Sequence, residues 1–114
     1  MPQPRRSVSP TVVGFVMPTV LAQEVQYDRR LRVLLALDEM PTGLANEAVL
    51  RRVLLAVGHA VSIDLLRTEL AWLDEQGLAV LEQSDVLYVA RILPRGRDVG
   101  RGLVKQPGVA SPLD

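Results

Sequence analysis

Arg91, Arg95, Arg97, Arg101 and Lys105 fall within fifteen residues and form the main basic concentration of the chain. Cations at that spacing can follow a run of phosphates, because each neutralised phosphate releases counterions. Arg67 offers a different chemistry. Its planar guanidinium can donate two parallel hydrogen bonds to the edge of a guanine, and Ser62 or Thr68 beside it can reach a base or a phosphate. The surroundings oppose this. Between Ser62 and Gln76, Arg67 stands alone against Asp64, Glu69, Asp74 and Glu75, a balance of −3 that repels phosphates unless the acids point away. Arg51 and Arg52 can touch a phosphate backbone or simply be solvated. Arg5 and Arg6 can add a basic arm, although the prolines around them favour a disordered leader.

Other chemistries find no support in the residue types. There is no cysteine, which excludes disulfides and thiolate ligands, and His59 is the single histidine, which excludes histidine clusters. No metal site and no cofactor is therefore expected. No catalytic constellation emerges, because nothing in the spacing gathers His59 with an acid and a nucleophile, and an enzyme is not expected. Phe15, Tyr27, Trp72 and Tyr88 are the only aromatic residues, too few for a stacking platform for single strands. Net charge is zero over 114 residues, yet it is unevenly spread. Residues 1–23 carry +2, residues 24–85 set six arginines against eleven acids, and residues 86–114 carry +3. Val12 to Leu21 is apolar but short, and broken by Gly14 and Pro18, so neither a signal peptide nor a membrane span is expected.

These residues need elements to hold them. Residues 1–18 contain four prolines and read as a disordered leader, with Met17 as a second candidate start. Thr19 to Leu37 reads as a helix, with Val25, Leu31, Leu34, Leu35 and Ala36 apolar and Arg29, Arg30 and Arg32 on the other side. Pro41 and Gly43 break it. Asn46 is a good cap for a second helix, Glu47 to Val57, with Val49, Leu50, Val53, Leu54 and Val57 as its buried stripe. Gly58-His59-Ala60-Val61 is a tight connection in which His59 caps a carbonyl. Ser62 opens a third helix, with Ile63, Leu66, Leu70 and Leu73 recurring at helical spacing. Gly77 ends it. Leu78 to Gln83 and Val86 to Leu93 then read as a hairpin turning at Ser84-Asp85. Pro94 starts a short last helix, Arg95 to Arg101, and the prolines and glycines from Leu103 onward predict an extended tail. Trp72 packs under the hairpin against Tyr88, or serves a dimer contact.

The fold expected is mainly α with a β-hairpin: a winged helix-turn-helix of three helices, a two-stranded wing and a short C-terminal helix. Its domain covers residues 19–102, with the tail at 103–114. From about Tyr27 to Pro107 the chain resembles small winged-helix proteins of Mu-like phages and prophages, often labelled ArsR-like. The resemblance rests on Gly58-His59, Arg67-Thr68, Leu70-Ala71-Trp72-Leu73, Gln76-Gly77-Leu78, Arg95-Gly96 with Asp98-Val99, and Pro107-Gly108-Val109. It implies a transcriptional regulator that binds double-stranded DNA as a cytoplasmic homodimer in the bacterial host. Metal sensing of the ArsR type is set aside, because the ligands are missing. The residues expected on DNA are Ser62, Arg67, Thr68, Arg91, Arg95, Arg97 and Arg101. Val25, Leu31 and Leu35 are the expected dimer surface. The wing tip, Gln83-Ser84-Asp85, is short and acidic and grips phosphate poorly. That tip and the acidic third helix support a second expectation, a protein-interaction module of phage packaging or transcription machinery that makes no DNA contact.

Overall fold

The computed structural model describes the backbone of residues 4–113 and the side chains of residues 19–113. The leader expected at residues 1–18, with Arg5 and Arg6, lies outside the described side chains. The chain runs α1 (Pro4–Glu39), β1 (Leu44–Asn46), α2 (Glu47–Ala56), α3 (Ile63–Glu75), β2 (Ala79–Glu82), β3 (Val89–Ile92) and α4 (Pro94–Gly100). It is mainly helical, with a small antiparallel sheet of order β1-β3-β2.

Local chemistry accounts for the boundaries. Asn46 Oδ1 accepts the Val49 N–H at 2.9 Å and Ser62 Oγ accepts the Leu65 N–H at 3.0 Å, so α2 and α3 each start on a side-chain cap. Gly77 adopts φ +75°, and the Leu78 N–H closes the end of α3 on the Leu73 carbonyl at 2.9 Å. Pro94 occupies the first turn of α4, where its missing donor costs nothing.

The third strand is a correction to the expected two. β1 is three residues long and pairs with β3, placing Leu44 opposite Arg91 and Ala45 opposite Ala90. On its other side β3 pairs with β2, with Val80 opposite Arg91 and Leu81 opposite Ala90. The hairpin strands are also shorter than expected, and the connection between them spans residues 83–88. Inside it, the Ser84 hydroxyl accepts the Leu87 N–H and lies against the Leu87 carbonyl.

Leu34, Leu37, Leu50, Leu54, Leu66, Leu70, Leu73 and Leu78 are almost completely buried where α1, α2 and α3 meet the sheet. Each contributes about 1.5–3 kcal/mol by leaving water. Leu31 belongs to this core and Leu35 packs against it, so neither is free for a partner, and Val57, expected inside, is 42% exposed. α4 lies close on the start of β2. The Leu93 N–H bonds the Leu78 carbonyl at 3.0 Å, and a Cβ at Gly96 would sit 2.0 Å from that same oxygen.

Residues 103–113, the expected tail, form no helix or strand. They fold back as a strap along α1. The Ala110 N–H donates to the Tyr27 carbonyl at 3.1 Å, Val109 is buried, and the Gln106 amide donates to Gln76 Oε1 at 3.2 Å. Trp72 packs on the core beside this strap, while the Tyr88 ring lies against Arg67. Its ring lies 3.8 Å from the Arg30 guanidinium.

Candidate nucleic-acid interface

Among the described residues, most arginines are held by buried or half-buried acceptors, and the pattern of pairing decides which can meet a ligand. Arg29 and Arg30, expected on the exposed side of the first helix, are buried. Both reach Glu69 on α3, which is 1% exposed. Arg29 Nε donates to Oε2 at 2.8 Å and Arg30 Nε to Oε1 at 3.0 Å, so both carboxylate oxygens are used. Arg30 Nη1 also donates to the Gly108 carbonyl at 3.1 Å, which pins the strap.

Asp38, near the end of α1, holds the basic residues of α4. Arg97 Nε donates to Oδ1 at 2.9 Å, and Arg101 donates through Nε at 2.8 Å and Nη2 at 3.1 Å. The Arg101 hydrogen bonds, aided by Arg97, hold the Asp38 carboxyl below the ordinary range, against the upward push of burial. Arg95 donates to Gln106 Oε1 at 3.0 Å. Arg91 projects from β3 between Leu44 and Val80 on the exposed face of the sheet. The basic run therefore divides among three places, and two of its arginines fasten α4 to α1.

Arg67 meets Glu47, the first residue of α2. Nε donates to Oε1 at 2.6 Å and Nη2 to Oε2 at 2.8 Å, and Oε2 also accepts the Tyr88 N–H at 3.1 Å. The guanidinium lies 4.0 Å from the Tyr88 ring centroid. Glu47 is 2% exposed. The Arg67 hydrogen bonds hold its carboxyl below the ordinary range against burial, and Glu47 in turn raises Arg67. Ser62 Oγ is occupied as an acceptor by the α3 cap. Thr68 is exposed, and its hydroxyl donates back to the Asp64 carbonyl at 3.1 Å.

Arg67 lines a groove between the start of α2, the start of α3 and the base of the hairpin connection. Arg51, Arg52, Ser62, Ile63 and Leu87 line it too, and none of Arg91, Arg95, Arg97 and Arg101 does. Arg51 is anchored, donating to the Val61 carbonyl at 2.8 Å. The acidity expected on α3 is reduced. Glu69 is inside and balanced, whereas Asp74, whose Oδ2 accepts the Leu81 N–H at 2.8 Å, stays exposed and keeps its charge. His59 does two things. Its N–H caps the Leu54 carbonyl at 2.8 Å, and its ring Nε2 lies 2.7 Å from Asp28 Oδ2, joining the α2–α3 turn to α1.

The residues that position this region but were not singled out from sequence are Glu47, Tyr88, Glu69, Arg29 and Arg30. A signal for the two acids exists. Glu69 lies three residues after Leu66 and four before Leu73, and Glu47 three before Leu50 and seven before Leu54, which sets both on buried stripes.

Among the described residues no helix is long and apolar enough to cross a membrane. No family model and no solved structure matches the chain. Two proteins do. The uncharacterized protein gp26 of Escherichia phage Mu is 40% identical over 85 residues, covering 75% of this chain and 88% of gp26. An uncharacterized protein of Haemophilus influenzae is 40% identical over 89 residues, covering 73% of this chain and 86% of that protein. The expected kinship with Mu-like phages follows, and the chain belongs to the family of phage Mu protein gp26.

Proposed function

We propose that this protein is a winged helix-turn-helix that binds double-stranded DNA, with α2 and α3 as the helix-turn-helix, β2 and β3 as the wing, and a regulatory role in a phage or prophage. The observation that carries the reading is the groove at the start of α3, where Arg51, Arg52 and Arg67 converge. The N-terminal end of the second helix is where such motifs meet base edges and phosphates. The burial of Glu69 under Arg29 and Arg30 removes one of the charges that would repel DNA there. Arg91 can add a contact from the sheet. Arg97 and Arg101 contribute by fixing α4 rather than by touching phosphate.

The regulator acts as a homodimer in the host cytoplasm. Val20, Leu21 and Val25 stand about half exposed on α1 and supply the contact, in place of Leu31 and Leu35.

A salt-titrated duplex-binding assay tests the reading. Affinity should fall steeply with salt, and Arg51→Ala with Arg52→Ala should lower the slope of log affinity against log salt by up to about 2, close to one unit per phosphate lost. Failure to bind any duplex at low salt refutes it. That result would favour the second reading, a protein-interaction module of phage packaging or transcription machinery. Leu55, 62% exposed, and Leu65, 37% exposed, favour this alternative, because they leave α2 and α3 with apolar outer faces.

A further inference from the structure

Arg67 at first sight looks spent on Glu47. A guanidinium has five N–H donors arranged as two forks, one along the Nε–Nη2 side and one across the Nη1–Nη2 end. Glu47 takes one donor from Nε and one from Nη2, which is the side fork. Three donors remain, two on Nη1 and one on Nη2, and they include the complete end fork. The side chain as a whole is 34% exposed while its carboxylate partner is 2% exposed, so the paired edge is buried and the group still reaches solvent. Tyr88 restrains the plane of the guanidinium, 4.0 Å from its ring. Glu47 is itself fixed by the Tyr88 N–H and by its place at the start of α2.

We propose that Glu47 is a positioning residue which, with Tyr88, presents the end fork of Arg67 to the O6 and N7 acceptors of a guanine in the major groove. This rests on the DNA-binding reading above. The charge pattern divides the labour. The Arg67 charge is balanced by Glu47, so Arg67 adds little to the attraction of phosphates, whereas an oriented two-donor fork is what a guanine edge requires. Arg52 makes no hydrogen bond or ion pair with the described residues and Arg51 is held only by a neutral carbonyl, so general phosphate attraction falls to these two. Base preference and salt dependence should therefore respond to different substitutions.

The experiment is selection of bound duplexes from a random-sequence pool, followed by affinity and salt titrations on the selected and the random duplex. Wild type should select a site with a fixed guanine, preferred over the other bases by roughly five- to 150-fold. Arg67→Lys and Tyr88→Leu should each reduce that preference by at least about fivefold with the salt slope unchanged, and Glu47→Gln should reduce it as much while steepening the slope, because it leaves the Arg67 charge unbalanced. Arg52→Ala should lower the slope and keep the preference. Tyr88→Leu retains the Glu47 carboxylate and the backbone N–H it accepts, so it tests the idea even if Glu47→Gln does not fold. If wild type binds duplexes without a guanine preference, the proposal falls and DNA binding stands. If Arg67→Lys loses the preference while Glu47→Gln and Tyr88→Leu keep it, the positioning role falls. If wild type binds no duplex, DNA binding fails and this proposal with it.

Discussion

Replacing Glu69 with alanine should be among the most damaging single changes in this protein. The side chain is 1% exposed, and its partners Arg29 and Arg30 are 11% and 9% exposed. An exposed ion pair lost by mutation costs up to about 1 kcal/mol. Removing one member of a buried pair costs about 3–5 kcal/mol, because the remaining charge is stranded away from water. Here two guanidinium groups would be stranded together, which places the expected loss at the upper part of that range. At about 4–8 °C per kcal/mol for a domain of this size, a loss of about 4–5 kcal/mol should lower the melting temperature by about 16–40 °C. The loss is comparable with the whole stability of a marginal domain. Thermal and urea melts followed by circular dichroism measure it. The triple variant Arg29→Met, Arg30→Met, Glu69→Leu should regain most of the loss, because an apolar trio carries no desolvated charge. A cost below about 1 kcal/mol for Glu69→Ala would refute the reasoning, as would a triple variant less stable than the single one.

Gly96→Ala should cost at least about 3 kcal/mol, the top of the usual overpacking range, because its Cβ would lie 2.0 Å from the Leu78 carbonyl oxygen and neither backbone can yield; urea melts report it. Asp38 should make stability depend on acid. Its folded pKa lies below the ordinary value of 3.8, so its contribution is complete above that value and is lost as the pH falls through the lower folded one. Asp38→Asn should flatten the fall in melting temperature as the pH drops below 3.8. Gly108→Ala should free the strap. It forces a φ of +92° on an L side chain, at about 1–2 kcal/mol, and brings a Cβ within 2.7 Å of Trp72; faster hydrogen exchange at the Ala110 amide is the readout.

The elements whose signals are local were legible before the structure. Asn46 and Ser62 cap the helices they were expected to cap, Leu66, Leu70 and Leu73 are buried, and Gly77 ends α3 in the left-handed conformation. β1 left no such signal, because three residues after a proline and a glycine are too few to show a period of two. It exists through its pairing with β3, more than forty residues later in the chain. The arginine pairings were hidden for the same reason. A charged residue on a helix reads as exposed until an acid far along the chain is known to face it, and Glu69 is 39 residues from Arg30. Trp72 packs against the core, but its partners Arg30 and Gly108 lie on α1 and the strap, out of reach of any local pattern.

The bonds that fasten α1 also set an order of assembly. Its polar ties, from Arg29 and Arg30 to Glu69, from Arg30 to Gly108 and from Asp38 to Arg97 and Arg101, close loops of 39, 40, 59, 63 and 78 residues. Closing loops of that length costs entropy before any contact repays it. The turn from α2 into α3, and from α3 into β2, needs only neighbouring residues. The polar ties of α1 are therefore completed late, after residue 108 has emerged. Folding should be slow for a mainly helical protein of this size, and substitutions at Glu69 should speed unfolding far more than they slow folding.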